Sequence, residues 1–314
     1  MKKRNIHIIE NPSELGAGVR GPALGPIAVR LEDNRLDNRI YGKFTHSTVN
    51  SLNHRLCAPT PFVHAKFLDA IVEHNLTYAE SFQEILKSGK FPIVMSGDHS
   101  NALGTIAGIK NMYPEKRLGV IWIDAHADLH TPFTSPSGNV HGMPLGASLG
   151  EGYASDAINV PDDKTVQLWS ELTHLGSHSI HPKIHPSDLV FIAIRDLEDQ
   201  EWKDIDENHI KYYVPARLLN KSMKEVAEET LSHLSSCDMI YVSFDVDSMD
   251  PSVSKGTGTS VDNGLSLEQA KKLLTHFFED DKTVCLEVTE VNPLIDVENR
   301  MAKAALDILT HLLG

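Results

Sequence analysis

A chain of 314 residues with 41% hydrophobic and 23% charged side chains has the composition of a packed globular protein, which excludes a disordered or fibrous chain. Its 43 acidic and 29 basic residues give a formal net charge of -14, which argues against nucleic acid or an anionic membrane surface as the main partner. The opening MKKRNIHIIENP has no apolar signal core and no later stretch runs to about 18 uncharged apolar residues, so a cytoplasmic protein is expected. Cys57, Cys237 and Cys285 form no close pair and read as reduced, mostly buried thiols.

In chain order, short apolar runs rich in β-branched residues at 6–9, 92–95, 118–123, 189–194, 211–214, 239–246 and 284–288 read as buried strands. Between them, apolar residues recur at helical spacing over 62–86, 102–112, 223–234, 267–278 and 301–313. Strands that alternate with helices predict a doubly wound, mainly parallel sheet with helices on both faces, because a parallel pair needs a long crossover. The segments 131–163 and 174–187, rich in Gly, Pro, Ser, Asp and His, read as long loops within one domain covering 1–314.

In such sheets ligands gather at the carboxyl ends of the strands, so polar clusters just beyond apolar runs are the site candidates. Three qualify. Ser96-Gly-Asp-His-Ser100 follows the run at 92–95, with Gly97 suited to a sharp turn, Asp98 or Ser100 to a helix cap, and His99 to a ligand or a packed imidazole. Asp124-Ala-His-Ala-Asp-Leu-His130 follows 118–123; residues two apart on an extended chain share a face, so Asp124, His126, Asp128 and His130 are expected to converge. Asp245-Val-Asp-Ser-Met-Asp250 ends the run at 239–246, where two carboxylates among apolar neighbours would be very costly without a cation.

His99, Asp124, His126, Asp128, Asp245 and Asp247 form a donor set rich in carboxylate and free of thiolate. That chemistry suits two hard or borderline divalent ions rather than a structural zinc. Two such ions sharing a water yield a hydroxide nucleophile near neutral pH.

These three motifs, in this order and spacing, resemble those of the ureohydrolases, the family of arginases, agmatinases and formiminoglutamases, from about Leu15 to the C-terminus. The resemblance implies two Mn2+ per chain, with Co2+ a possible substitute: one held by His99, Asp124, Asp128 and Asp245, the other by Asp124, His126, Asp245 and Asp247. It also implies the arginase-like three-layer fold and a homotrimer or homohexamer.

Ser137-Gly-Asn-Val-His-Gly142 is similar to the arginase form of the loop that grips a substrate α-carboxylate, which implies Ser137 and Asn139 as donors and favours L-arginine over its decarboxylated analogue. By the same resemblance Glu290 pairs with the guanidinium, Thr259 lies near that contact, Asp128 moves a proton to the leaving amine and His141 exchanges protons with solvent. Two positions depart from the arginase pattern. His130 stands where Asn is usual, and the Arg195-Asp-Leu-Glu198 motif ends in Glu198, one methylene longer than the Asp that receives the α-amino group.

The expected reaction is therefore hydrolysis of arginine to ornithine and urea. The rivals are another ureohydrolase activity on agmatine, a guanidino acid or formiminoglutamate, a metal-dependent deacetylase, and a noncatalytic metal-binding relative. The last would have lost donors, whereas all six are present. His174, His178, His181 and His185 lack nearby carboxylates and read as a solvated surface group.

Overall fold

The computed structural model describes residues 4–150 and 157–314. Eight strands form one sheet: β1 (Ile6–Asn11), β2 (Thr45–Thr48), β3 (Phe91–Ser96), β4 (Leu118–Ile123), β5 (Leu189–Ile192), β6 (Lys211–Tyr213), β7 (Met239–Asp245) and β8 (Thr283–Thr289). Their order is β2-β1-β3-β8-β7-β4-β5-β6, and every neighbouring pair is parallel.

Both faces of the sheet are covered, which is why the strands read as continuous apolar runs. Alternate residues of one strand enter different cores. Ile121 and Ile123 pack with the helices Gly25–Arg35, Met223–His233, Leu267–Glu279 and Arg300–Leu313. Val120 and Trp122 pack on the opposite face with Tyr78 and Phe82 of the helix Leu68–Lys87 and Ile106 and Ile109 of the helix Ala102–Met112. The result is the doubly wound, three-layer α/β arrangement expected from strand and helix alternation.

Several boundaries differ from the sequence reading for local reasons. β2 escapes it because Thr45-His-Ser-Thr48 is polar and mostly exposed at the sheet edge. The first helix pattern begins at Leu68 rather than 62, because Phe67 takes a left-handed φ of 57° and Thr60 Oγ1 accepts from the N–H groups of Phe62 and Phe67. The helices Gly25–Arg35, Asp163–Thr173 and Asp199–Glu207 were not read from sequence; the last carries few apolar residues and is fixed by a capping box between Glu198 and Glu201. Cys57 is exposed, whereas Cys237 and Cys285 are buried. Among the described residues no helix is long and apolar enough to cross a membrane.

The four central strands, β3, β8, β7 and β4, end side by side. β3 and β4 are consecutive in the chain yet lie on either side of β8 and β7, so the strand order breaks here and a crevice opens beyond the carboxyl ends.

Candidate metal centre

At the end of β3 the chain turns on Gly97, where a Cβ would lie 2.0 Å from the Ser13 carbonyl oxygen and only glycine fits. Asp98 accepts from the N–H groups of Ser100 (2.8 Å) and Gly16 (3.0 Å), which turns His99 inward. The buried His99 ring stacks on Trp122 at a centroid distance of 3.9 Å, and its Nε2 lies 2.7 Å from Ser243 Oγ. Trp122 and Ser243 are cross-strand partners of β4 and β7, so the sheet itself sets the ring's plane and its free edge. That edge, Nδ1, lies 3.0 Å from Asp124 Oδ2, 3.0 Å from Asp128 Oδ2 and 3.3 Å from Asp245 Oδ2.

Three aspartates are aimed by one rule: one oxygen is tied to backbone and the other turns to the crevice. Asp124 Oδ1 accepts from His126 N–H (2.7 Å), Asp245 Oδ1 from Asp247 N–H (2.8 Å) and Asp247 Oδ1 from Ala125 N–H (3.1 Å). His126 Nδ1 then lies 3.1 Å from Asp247 Oδ2 and 3.4 Å from Asp124 Oδ1. Thr259 Oγ1 donates to the same Asp247 Oδ2 at 2.9 Å.

Two groups of donors result, His99 with Asp124 and Asp245, and Asp124 with His126 and Asp247; they share Asp124, and the atoms within each lie inside 4.8 Å of one another. The polar atoms at the centre fit cations. His99 Nδ1 and Asp124 Oδ2 are buried without a hydrogen-bond partner although they face each other. The Asp245 carboxyl is held well above the usual carboxylate range by burial and by the charges of Asp247 and Asp124. Carboxylates crowded out of water need positive charge to remain ionised, and oxygen with imidazole donors suits hard or borderline divalent ions. A two-centre metal-binding cluster is therefore present.

A cavity of about 160 Å3 lies over this cluster, and Ser137, Asn139, His141, His130, Glu198, Glu201 and Thr259 also line it. All four polar residues at 124–130 reach this cavity, but not by the extended alternation expected of them. β4 ends at Ile123, Asp128 takes a φ of 51°, and the chain leaves extended geometry. His130 is thereby turned to Glu198, with Nε2 3.0 Å from Glu198 Oε2 and 3.7 Å from Glu201 Oε2. The two residues that depart from the arginase pattern are thus each other's partners.

Glu290, at φ 65° after β8, is buried, accepts from His99 N–H at 3.0 Å and lies 3.2 Å from His141 Nδ1. It reaches the cavity wall through those two histidines. The four histidines at 174–185 stay exposed at the surface, with the rings of His174 and His181 stacked at 4.3 Å.

The chain as a whole, over residues 4–314, matches the family model described as the arginase family. This chain belongs to the arginase family. It is 36% identical over 318 residues to an arginase of Bacillus caldovelox, with 98% of each chain covered. With an arginase of Bacillus subtilis it shares 34% identity over 313 residues, covering 99% of this chain and 98% of the other. A crystal structure of Entamoeba histolytica arginase in complex with L-ornithine superimposes with a TM-score of 0.83 at 29% identity, covering 100% of both chains. Membership and the paired metal centre make the protein a hydrolase of linear amidines, a ureohydrolase with a small-molecule substrate.

Sequence reasoning missed Trp122, which looks like an ordinary strand residue, the contact that Ser243, which opens the third motif two residues before Asp245, makes with His99, and Glu201, whose signal was only its capping-box spacing from Glu198. Glu201 is buried and accepts from Leu129 N–H (3.3 Å) and Glu198 N–H (3.2 Å). Burial pushes its carboxyl up to about 8, against the pull of His130 and with the help of Glu198 and Asp128.

From the ordinary value of 4.5 up to about 8, the folded chain keeps a proton that the unfolded chain has released. This group's contribution to stability therefore falls as pH rises through that window. Glu201→Gln is expected to remove the slope, so that urea unfolding shows the variant gaining on the wild type between about pH 5 and 8. Parallel stability curves would show the wild-type carboxyl already ionised in the folded chain.

Proposed function

We propose that this ureohydrolase hydrolyses L-arginine to L-ornithine and urea, with two Mn2+ as its resident ions. One ion would be held by His99, Asp124, Asp128 and Asp245, and the other by Asp124, His126, Asp245 and Asp247. The observation that carries the arginine reading is a single cavity lined both by the paired donor groups and by Ser137 and Asn139, side chains able to donate to a carboxylate. The ornithine named with the Entamoeba histolytica arginase structure supports the same reading.

Two divalent cations, when bound, supply a hydroxide nucleophile at neutral pH and neutralise the clustered aspartates. Glu290 orients the substrate: Oε1 is engaged by His99 N–H and His141, which leaves Oε2 for the guanidinium N–H groups. The Asp128 carboxylate carries the nucleophile's proton to the leaving amine. His141 exchanges protons with solvent. Burial opposes its charged form, but the hydrogen bond to and charge of Glu290 prevail and raise its pKa, which favours the proton-carrying form. Thr259 steadies Asp247 through its hydrogen bond. Glu198 is a receptor for the substrate α-amino group on the side away from His130, and His130, held by Thr134 through Nδ1 and by Glu198 through Nε2, takes part in substrate binding by fixing that carboxylate in place.

A panel tests this: release of urea from arginine, agmatine and guanidino acids, and of formamide from formiminoglutamate, each with its amine product. Arginine is expected to give the highest kcat/KM with Mn2+ loaded. Turnover of another panel member with none of arginine would replace the substrate and leave the family standing. We further propose a single ureohydrolase domain over 1–314, a cytoplasmic location and a homotrimer or homohexamer, the last open to light scattering after gel filtration.

A further inference from the structure

Among the described residues no lysine or arginine lines the cavity, whose wall includes six carboxylates: Asp124, Asp128, Asp245, Asp247, Glu198 and Glu201. Two bound divalent ions would offset the four aspartates, which leaves Ser137 and Asn139 to meet a substrate carboxylate as neutral donors. A cation behind one of them would strengthen that grip. Lys66 is so placed: Nζ lies 3.0 Å from Asn139 Oδ1, and Asn139 is a wall residue.

The contact is built, not incidental. Lys66 N–H donates to Gly138 O at 2.7 Å, and Gly138, at φ +69°, lies so close to Val63 that a Cβ would come within 2.2 Å of its carbonyl oxygen. The segments around Lys66 and Asn139 are thus locked together by backbone and side chain at once. An ammonium has only donors, so Asn139 must present its oxygen to Lys66 and its NH2 elsewhere. The NH2 end lies beside Gly18, where a Cβ would sit 2.6 Å away, so glycine leaves that end uncovered.

We propose that Lys66 is a specificity residue: by holding Asn139 Oδ1 it fixes the amide with its NH2 toward the substrate and adds positive charge behind it, selecting substrates that carry a carboxylate. This rests on the arginine reading above, and the test separates the two. Lys66 touches Asn139 rather than the reacting atoms, so it acts as a positioning residue. Its removal should change binding of the carboxylate end and leave turnover of bound substrate alone.

The experiment compares binding of ornithine and of 1,4-diaminobutane, which lacks the carboxylate, to the Mn2+-reconstituted full chain by calorimetry. Wild type, Lys66→Met and Lys66→Arg are measured, with thermal midpoints recorded to show that each variant is folded. The wild type is expected to prefer ornithine by at least ~10-fold. Lys66→Met should shrink that preference by about five- to tenfold with diaminobutane affinity unchanged, and Lys66→Arg should restore most of it. In kinetics the same loss should appear in KM for arginine, with kcat within about twofold. A wild-type preference for ornithine that survives Lys66→Met overturns the role of Lys66 and leaves the arginine reading intact. Equal wild-type affinity for the two ligands overturns both. Should Lys66→Met melt early, Lys66→Gln carries the same comparison.

Discussion

Asp124→Asn is expected to lower kcat by ~10³-fold or more and to bring bound manganese from two ions per chain to below one. Asp124 belongs to both donor groups, and its two oxygens divide the work: Oδ1 accepts from His126 N–H and lies 3.4 Å from His126 Nδ1, while Oδ2 faces His99 Nδ1 at 3.0 Å. The amide keeps the size of the side chain and one oxygen. It removes the negative charge and puts an NH2 where the other group needs an acceptor. Metal content by plasma emission, read beside urea release, checks the result. An Asp124→Asn protein that still binds two ions and turns over at the wild-type rate would remove Asp124 from the centre.

The second large effect belongs to Glu290. Glu290→Gln should reduce kcat/KM for arginine on the order of 10²-fold, because a charge-assisted bond to the guanidinium becomes a neutral one in a buried setting. The metal centre should survive, since the substituted residue can still accept from His99 N–H. The pH profile of the residual activity separates this from simple misfolding. Glu290 raises the pKa of His141, so with its charge removed His141 gives up its proton at lower pH. Activity that needs protonated His141 should then be lost earlier as pH rises, and the alkaline limb should move to lower pH. Unchanged limb position together with the full rate loss would assign Glu290 to orienting the substrate alone.

How much of this was legible in the sequence depends on where the determining contacts lie. β3, β4 and β7 were readable as apolar runs followed by polar clusters, because strands buried on both faces carry their burial in their own residues. β2 was not, since its place is set by hydrogen bonding to β1 and not by any apolar pattern of its own. Within the site, same-face spacing drew attention to residues that share one cavity, but the extended geometry behind it stops short of His130. The left-handed Asp128 ends the alternation, and His130 leaves for Glu198 and Glu201. Trp122 and Ser243 define the orientation of His99 through cross-strand pairing, a relation between distant segments that no local window displays.

The position of β8 carries a consequence for biogenesis. It is the last strand to leave the ribosome, yet it stands between β3 and β7 in the middle of the sheet. Without its pairings the strands divide into two groups, β2-β1-β3 with His99 beyond β3, and β7-β4-β5-β6 with the aspartates and His126. Only the arrival of β8 joins the imidazole of one to the carboxylates of the other, and Glu290 arrives with it. A nascent or truncated chain therefore lacks the complete cation trap until synthesis is nearly finished, and metal capture becomes a late checkpoint that marks a finished molecule.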